Sequence, residues 1–152
     1  MYARKATVDE LELIYMMGFD IWGDGASMAD YLDSCRLSKK YQSGTWYVFI
    51  LHGNPVSSLL VYSNHFGLKE GCFGIGSVAT SPKFRRQGHG TKLVSLVKEN
   101  LLSVHHAKAI YLHSDIDRGY YAKLGFTSVQ GTDCMCISND PSYCEGPIPS
   151  YF

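Results

Sequence analysis

Five residues in one turn carry the clearest chemical signal in this chain. Lys83, Arg85 and Arg86 bring three cations beside Gly88 and Gly90, whose lack of a Cβ lets backbone N–H groups close on a bulky anion. Residues 75 to 80 before the turn are a short apolar, β-branched run suited to a sheet, ended by Ser81-Pro82 because proline cannot continue a ladder. From Thr91 onward Leu93, Val94, Leu96, Val97, Leu101 and Val104 fall largely on one helical stripe. Strand, basic glycine turn and helix N-terminus together make an arrangement that binds phosphate, since the first amides of a helix are unpaired and its dipole favours an anion. Taken alone, the same turn also fits a solvated surface loop. It lacks the Gly-Lys-Ser/Thr end of a P-loop and is not a GxGxxG dinucleotide turn.

A second segment, Tyr120-Tyr121-Ala122-Lys123-Leu124-Gly125-Phe126, follows after one further strand. Residues 82 to 90, Pro-Lys-Phe-Arg-Arg-Gln-Gly-His-Gly, resemble the R/Q-x-x-G-x-G/A signature of the GCN5-related N-acetyltransferases (GNAT), including the strand before and the helix after. Residues 120 to 126 resemble the later Y-x-x-x-G-F segment of that family. The resemblance spans roughly Trp46 to Ile137; upstream it is one of element order only, and after Ser138 there is none.

The resemblance implies acetyl-CoA as co-substrate. Its pyrophosphate would rest on amides of Arg86, Gln87, Gly88, His89, Gly90 and Thr91, assisted by the guanidinium of Arg85 or Arg86. The pantetheine arm would run beside Val78, Ala79 and Thr80. In the family this strand carries a bulge and splays from the next, aiming one N–H at the thioester oxygen; Gly74 and Gly76 would permit that distortion here. Ser114-Asp115 stands where the family often places an Asn on the cofactor arm, so Ser114 is a candidate cofactor contact.

The implied reaction is direct attack of an amine on the thioester, with no covalent enzyme intermediate. A lysine-like amine with a reference pKa of about 10.4 is neutral in only roughly one molecule in 2500 at pH 7, a deficit of about 4.6 kcal/mol, so a proton acceptor is needed. A phenol of pKa about 10 donating to a thiolate of about 8.5 is uphill by only about 2 kcal/mol, which suits tyrosine as the acid. Tyr121, four residues before Gly125, matches the family's tyrosine, while Tyr120 points about 100° around the helix. His65, Glu70, His113 and Asp115 lie in segments that could approach the acceptor; His113 and Asp115 are taken as candidate bases.

The elements that must position these groups read as an α/β (α+β) chain, a mixed sheet of about six to seven strands flanked by about four helices. Residues 1 to 6 predict a first strand, and Thr7 to Glu10 a capping box opening a helix toward Trp22. Ser27 caps a second helix to about Arg36, and residues 38 to 44 read as a polar loop. Trp22, Tyr31 and Tyr41 suit either an acceptor pocket or the core. Residues 45 to 51 predict a strand buried on both faces, and His52 to Pro55 turn the chain into a hairpin partner over residues 56 to 63. Residues 72 to 80 form the key strand. Residues 109 to 113 return parallel to it after the long helix, and a short helix ends at Gly125. Residues 126 to 130 and 134 to 137 form a closing hairpin, with 138 to 152 an irregular tail.

At 152 residues the sequence reads as a single domain over residues 1 to 152, large enough to bury a core without metal or disulfide. Fourteen basic residues balance fourteen acidic ones, so no overall field gathers nucleic acid or an acidic membrane. Cys35, Cys72, Cys134, Cys136 and Cys144 include no CxxC pair and read as buried reduced thiols, with no metal site. The first ten residues have no apolar signal core and no run approaches membrane-spanning length, which gives the expectation of a cytoplasmic protein. The function expected is acetyl transfer from acetyl-CoA to a primary amine of a small molecule or protein; the alternative is a non-catalytic acyl-CoA-sensing module of the same fold. Exposed sheet edges permit a homodimer.

Overall fold

The computed structural model describes residues 1–114, 118–145, 147–149 and 152, so Asp115 lies outside the described residues. Its strands are β1 (Tyr2–Lys5), β2 (Thr45–Leu51), β3 (Asn54–Ser63), β4 (Cys72–Thr80), β5 (Ala109–His113), β6 (Thr127–Ser128) and β7 (Cys134–Ile137). They form one mixed seven-stranded sheet in the order β1-β2-β3-β4-β5-β7-β6. The helices are α1 (Leu11–Met17), α2 (Phe19–Trp22), α3 (Met28–Leu37), α4 (Lys39–Ser43), α5 (His89–Ser103), α6 (Arg118–Ala122) and α7 (Ser142–Glu145). The chain divides into two compact units, Met1–Leu60 with Ser77–Val94, and Val61–Gly76 with Ser95–Phe152. Among the described residues no helix is long and apolar enough to cross a membrane.

In the first unit β1 lies antiparallel to β2, Tyr2 opposite Ile50 and Lys5 opposite Tyr47. Residues 46 to 50 are all buried, as their continuous apolar run requires. His52 (φ 51°) and Gly53 (φ 81°) are both left-handed, the backbone that a tight two-residue hairpin needs, and they return the chain into β3. The Thr7 N–H donates to Glu10 Oε1 at 2.9 Å, and a single 3-10 turn, Val8–Glu10, opens α1. The predicted run to Trp22 is interrupted at Gly18, whose N–H reaches back no further than the Tyr15 carbonyl at 3.3 Å, and α2 restarts as a separate turn; a Cβ at Gly18 would come within 2.1 Å of the Trp22 ring. Ser27 Oγ accepts from the Asp30 N–H at 3.2 Å and caps α3 as expected. Residues 38 to 44, expected as a loop, contain α4: Ser38 Oγ accepts from the Tyr41 N–H at 3.2 Å, and the Tyr41 ring stacks on Tyr15 with centroids 5.8 Å apart. Local capping and an aromatic anchor outweigh the polar composition there.

Glu10 also forms a bidentate pair with Arg4, at 2.7 and 2.8 Å. The hydrogen bonds from Arg4 hold its carboxyl at about 2, against a burial penalty that acts the other way. A depressed carboxylate contributes stability that is fully present above its ordinary value of 4.5 and is lost as pH falls through about 2. Glu10→Gln keeps an acceptor for Thr7 and removes the charge. It is expected to lower unfolding stability by about 1–2 kcal/mol at pH 7, after allowing for the partial exposure of Arg4. Urea unfolding at pH 7 and at pH 2 checks this, since the deficit should largely vanish at the lower pH.

In the second unit β4 and β5 are parallel, from Cys72 opposite Ala109 to Ile75 opposite Leu112. β7 inserts antiparallel beside β5 and pairs with β6, Thr127 opposite Cys136. Ile75, Val97, Leu101, Ile110, Leu112 and Met135 are almost wholly buried here. Val104, assigned to the helical stripe, is 63% exposed and lies beyond the end of α5. The tail expected to be irregular contains one helical turn, because the Asp140 carboxylate accepts from the Ser142 N–H at 3.0 Å and its hydroxyl at 2.8 Å and so caps α7. Phe152 is buried against β4: a Cβ at Gly74 would stand 2.1 Å from its ring, and one at Gly76 would stand 2.9 Å from the ring of Tyr62.

Candidate functional site

The basic turn lies wholly in the first unit. Pro82–Phe84 forms one 3-10 turn, Arg85 is extended, and Arg86 (φ 64°) and Gly88 (φ 82°) are left-handed. Alternation of backbone handedness over successive residues turns their N–H groups toward a common centre, which is how backbone nests hold anions. The Lys92 N–H donates to the Gly88 carbonyl at 3.0 Å as the first rung of α5, so the amides of Gly88, His89, Gly90 and Thr91 precede the helical ladder. Gly88 is exposed, and a Cβ there would meet no atom within 4 Å. Glycine is needed for its backbone conformation and for open access to the amides, not for packing.

The two arginines treated alike in the sequence are separated by the structure. Arg85 turns inward: Nε donates to the Thr80 carbonyl at 2.9 Å, one terminal nitrogen to the Met17 carbonyl at 3.0 Å, and the two terminal nitrogens to the Asp20 carboxylate at 2.6 and 2.8 Å. The Arg85 guanidinium holds the Asp20 carboxyl below the usual carboxylate range. Arg85 therefore ties the end of β4 to the α1–α2 corner, and Arg86 is the exposed arginine of the turn. His89 also divides its parts. Its ring packs 5.6 Å from Phe49 and 6.4 Å from Phe84, with Nε2 buried and unpartnered among the described residues, while its backbone N–H stays at the helix start.

The strand leading into the turn is distorted at a residue the sequence did not single out. Ser77 has φ 51° in mid-strand, a left-handed backbone that departs from the regular pleat, whereas Gly74 and Gly76 are not left-handed and instead make room for Phe152 and Tyr62. The register with β5 covers Cys72–Ile75, while β4 itself continues to Thr80. Val78 and Thr80 are half-buried and Ala79 is buried, with Thr80 Oγ1 2.7 Å from Ser57 Oγ.

In the second unit α6 places Tyr121. Gly125 (φ 96°) terminates it with paired bonds, its own N–H to the Ala122 carbonyl at 3.0 Å and the Phe126 N–H to the Tyr121 carbonyl at 3.3 Å. Lys98 Nζ donates to the Leu124 carbonyl at 2.8 Å and fixes that end against α5. Tyr121 is 7% exposed, with its ring 5.0 Å from Tyr120 and 6.3 Å from Phe126, whereas Tyr120 is half-buried. His113 is exposed at the end of β5 opposite Cys134, and the Ser114 N–H donates to the Asp133 carbonyl at 2.8 Å. Of the other residues weighed for the acceptor, His65 and Glu70 are exposed on the connection before β4. Tyr31 is core, its hydroxyl donating to the Tyr15 carbonyl at 3.0 Å. Sequence reasoning missed Asp20 and Ser77: the first is 65 residues from its arginine, and the second has a residue type with no special claim to a left-handed backbone.

The model of the acetyltransferase (GNAT) family matches residues 9–126 of this chain. No curated protein matches it significantly. Solved structures do. A GNAT family acetyltransferase from Brucella melitensis, in complex with acetyl-CoA, is 19% identical with a TM-score of 0.66, over 92% of this chain and 88% of that one. The aminoglycoside acetyltransferase AAC(6′)-Ib, in complex with coenzyme A, is 21% identical with a TM-score of 0.65, over 90% and 94%. The ribosomal-protein-S18-alanine N-acetyltransferase from Escherichia coli is 12% identical with a TM-score of 0.64, over 90% and 92%. At these identities the likeness is one of fold.

Proposed function

Because this chain belongs to the GNAT acetyltransferase family, we propose that it binds acetyl-CoA and transfers the acetyl group to a primary amine. The observation that carries this reading is the Arg86–Thr91 turn, in which two left-handed residues, one of them the exposed Arg86, and a helix N-terminus present backbone amides. The pyrophosphate rests on those amides with Arg86 as its side-chain partner, and Arg85 shapes the turn from behind. The pantetheine arm pairs with the backbone of Val78, Ala79 and Thr80, the stretch of β4 beyond the β5 register. The fold of AAC(6′)-Ib and that of the S18-alanine enzyme are matched almost equally well, so the fold does not choose between a small-molecule and a protein amine.

In the proposed reaction the neutral amine attacks the thioester carbon, the carbon–sulfur bond breaks, and the thiolate takes the proton of the Tyr121 hydroxyl. His113 and Asp115 are the candidate acceptors for the proton that the amine loses. A calorimetric titration with acetyl-CoA, with ATP as an unrelated phosphate ligand, tests the cofactor. A thiol-release assay across primary amines and N-terminal peptides then tests transfer. Micromolar binding of acetyl-CoA but not ATP, with thiol release on adding an amine, is expected. Absence of binding by the folded chain overturns the reading, and binding without any release favours a sensing module.

A further inference from the structure

Cys136 in β7 and Cys144 in α7 bring their sulfur atoms to 2.7 Å of each other as free thiols. That is inside ordinary sulfur contact and only about 0.7 Å longer than a disulfide bond. The approach is built by the surrounding chain. Asp140 caps α7, the Cys144 N–H donates to the Pro141 carbonyl at 3.0 Å, and the Tyr111 hydroxyl donates to the Tyr143 carbonyl at 3.1 Å. Ser138 donates its hydroxyl to the Lys108 carbonyl, fixing the start of the loop that joins the two cysteines.

The two thiols differ in access. Cys136 is fully buried, whereas Cys144 is half-exposed and lines a cavity of about 670 Å³ together with Val129, Thr132 and Glu145. Another cavity, of about 290 Å³, touches α7 at Ser142 and Tyr143. The turn carrying Cys144 therefore has open space beside it, and the small movement that closes the bond needs no displacement of a packed core. Cys144, the more accessible of the two, is therefore the sulfur that an oxidant meets first.

We propose that Cys136 and Cys144 form a reversible disulfide on exposure to a hydroperoxide, converting the contact between α7 and β7 into a covalent clamp. The Cys144 sulfur takes one oxygen from the peroxide, the O–O bond breaks, and a sulfenic acid and an alcohol or water result. The Cys136 sulfur then displaces the hydroxyl from Cys144: the S–S bond forms, the S–O bond breaks, and the thiol proton leaves with the hydroxyl as water. The two thiols together supply the two electrons that reduce the peroxide, and an external dithiol reverses the step. This site is independent of the acetyl-transfer reading.

The test is treatment of the whole chain with hydrogen peroxide, followed by alkylation under denaturing conditions and mass spectrometry of non-reduced peptides. The expected result is two fewer alkylatable thiols, one linked peptide joining Cys136 to Cys144, and a melting temperature higher by about 5 °C that dithiothreitol reverses. Cys144→Ser and Cys136→Ser should each abolish the link, and Cys134→Ser should keep it. All five thiols remaining alkylatable, a link through Cys134, or Cys144 driven to sulfinic acid without a link each overturns the proposal. The wild-type readout stands even if a buried-cysteine variant fails to fold.

Discussion

Tyr121→Phe is expected to lower turnover about 100-fold while leaving acetyl-CoA affinity within about twofold, the range a lost general acid commands. The substitution removes one oxygen and keeps the ring, whose contacts with Tyr120 and Phe126 and whose backbone bond to Phe126 hold α6 in place. If the hydroxyl protonates the departing thiolate, the loss should fall on kcat and shrink for a thioester whose leaving thiol is more acidic, since such a thiolate needs less help. Equal loss for both thioesters, or unchanged kcat with chemistry rate-limiting, would remove Tyr121 from this role. Tyr120→Phe is the control, expected to leave both parameters near wild type.

Gly88→Ala should weaken acetyl-CoA about tenfold or more in a calorimetric titration. A Cβ at this position meets nothing in the protein, so the effect cannot come from a clash within the folded chain. It comes from forcing an L-residue to hold φ 82°, at a cost of about 1–2 kcal/mol, and from placing a methyl group where the anion must approach the amides. Part of that conformational cost also appears as lower stability in urea unfolding. The two neighbouring arginines should then split in opposite ways. Arg86→Ala is expected to lose affinity with stability unchanged, whereas Arg85→Ala, which strips three carbonyl and carboxylate partners, is expected to lose about 1–2 kcal/mol of stability. A result in which Arg85→Ala alone abolishes binding while stability is untouched would reverse these roles.

The parts of the fold written in local patterns were legible in the sequence. Residues 75 to 97 announced strand, turn and helix by β-branching, glycine spacing and helical periodicity, and Gly125 announced the end of α6 because a left-handed stop favours glycine. The parallel pairing of β4 with β5 followed from the helix between them. What the sequence could not show depended on distant partners. Nothing around Arg85 reveals that Asp20 and the Met17 carbonyl will capture its guanidinium, so both arginines looked equally available. Gly74 and Gly76 were read as sites of backbone freedom, yet their role is to clear space for the rings of Phe152 and Tyr62, while the left-handed residue is Ser77. A glycine in a strand signals either meaning equally, and only the neighbour that approaches it decides which.

The packing of Phe152 against Gly74 also sets an order of events during synthesis. The residues of the first compact unit all lie at or before Val94, so all of them have been made once the ribosome has passed that point. The second needs a ring that emerges roughly sixty residues later, about 3–12 s at ordinary rates of elongation. Until then the Gly74 face of β4 lacks the ring that packs on it in the folded chain. Vectorial synthesis thus delivers every residue of the basic turn, which belongs to the early unit, before the tyrosine-bearing helix, which belongs to the late one.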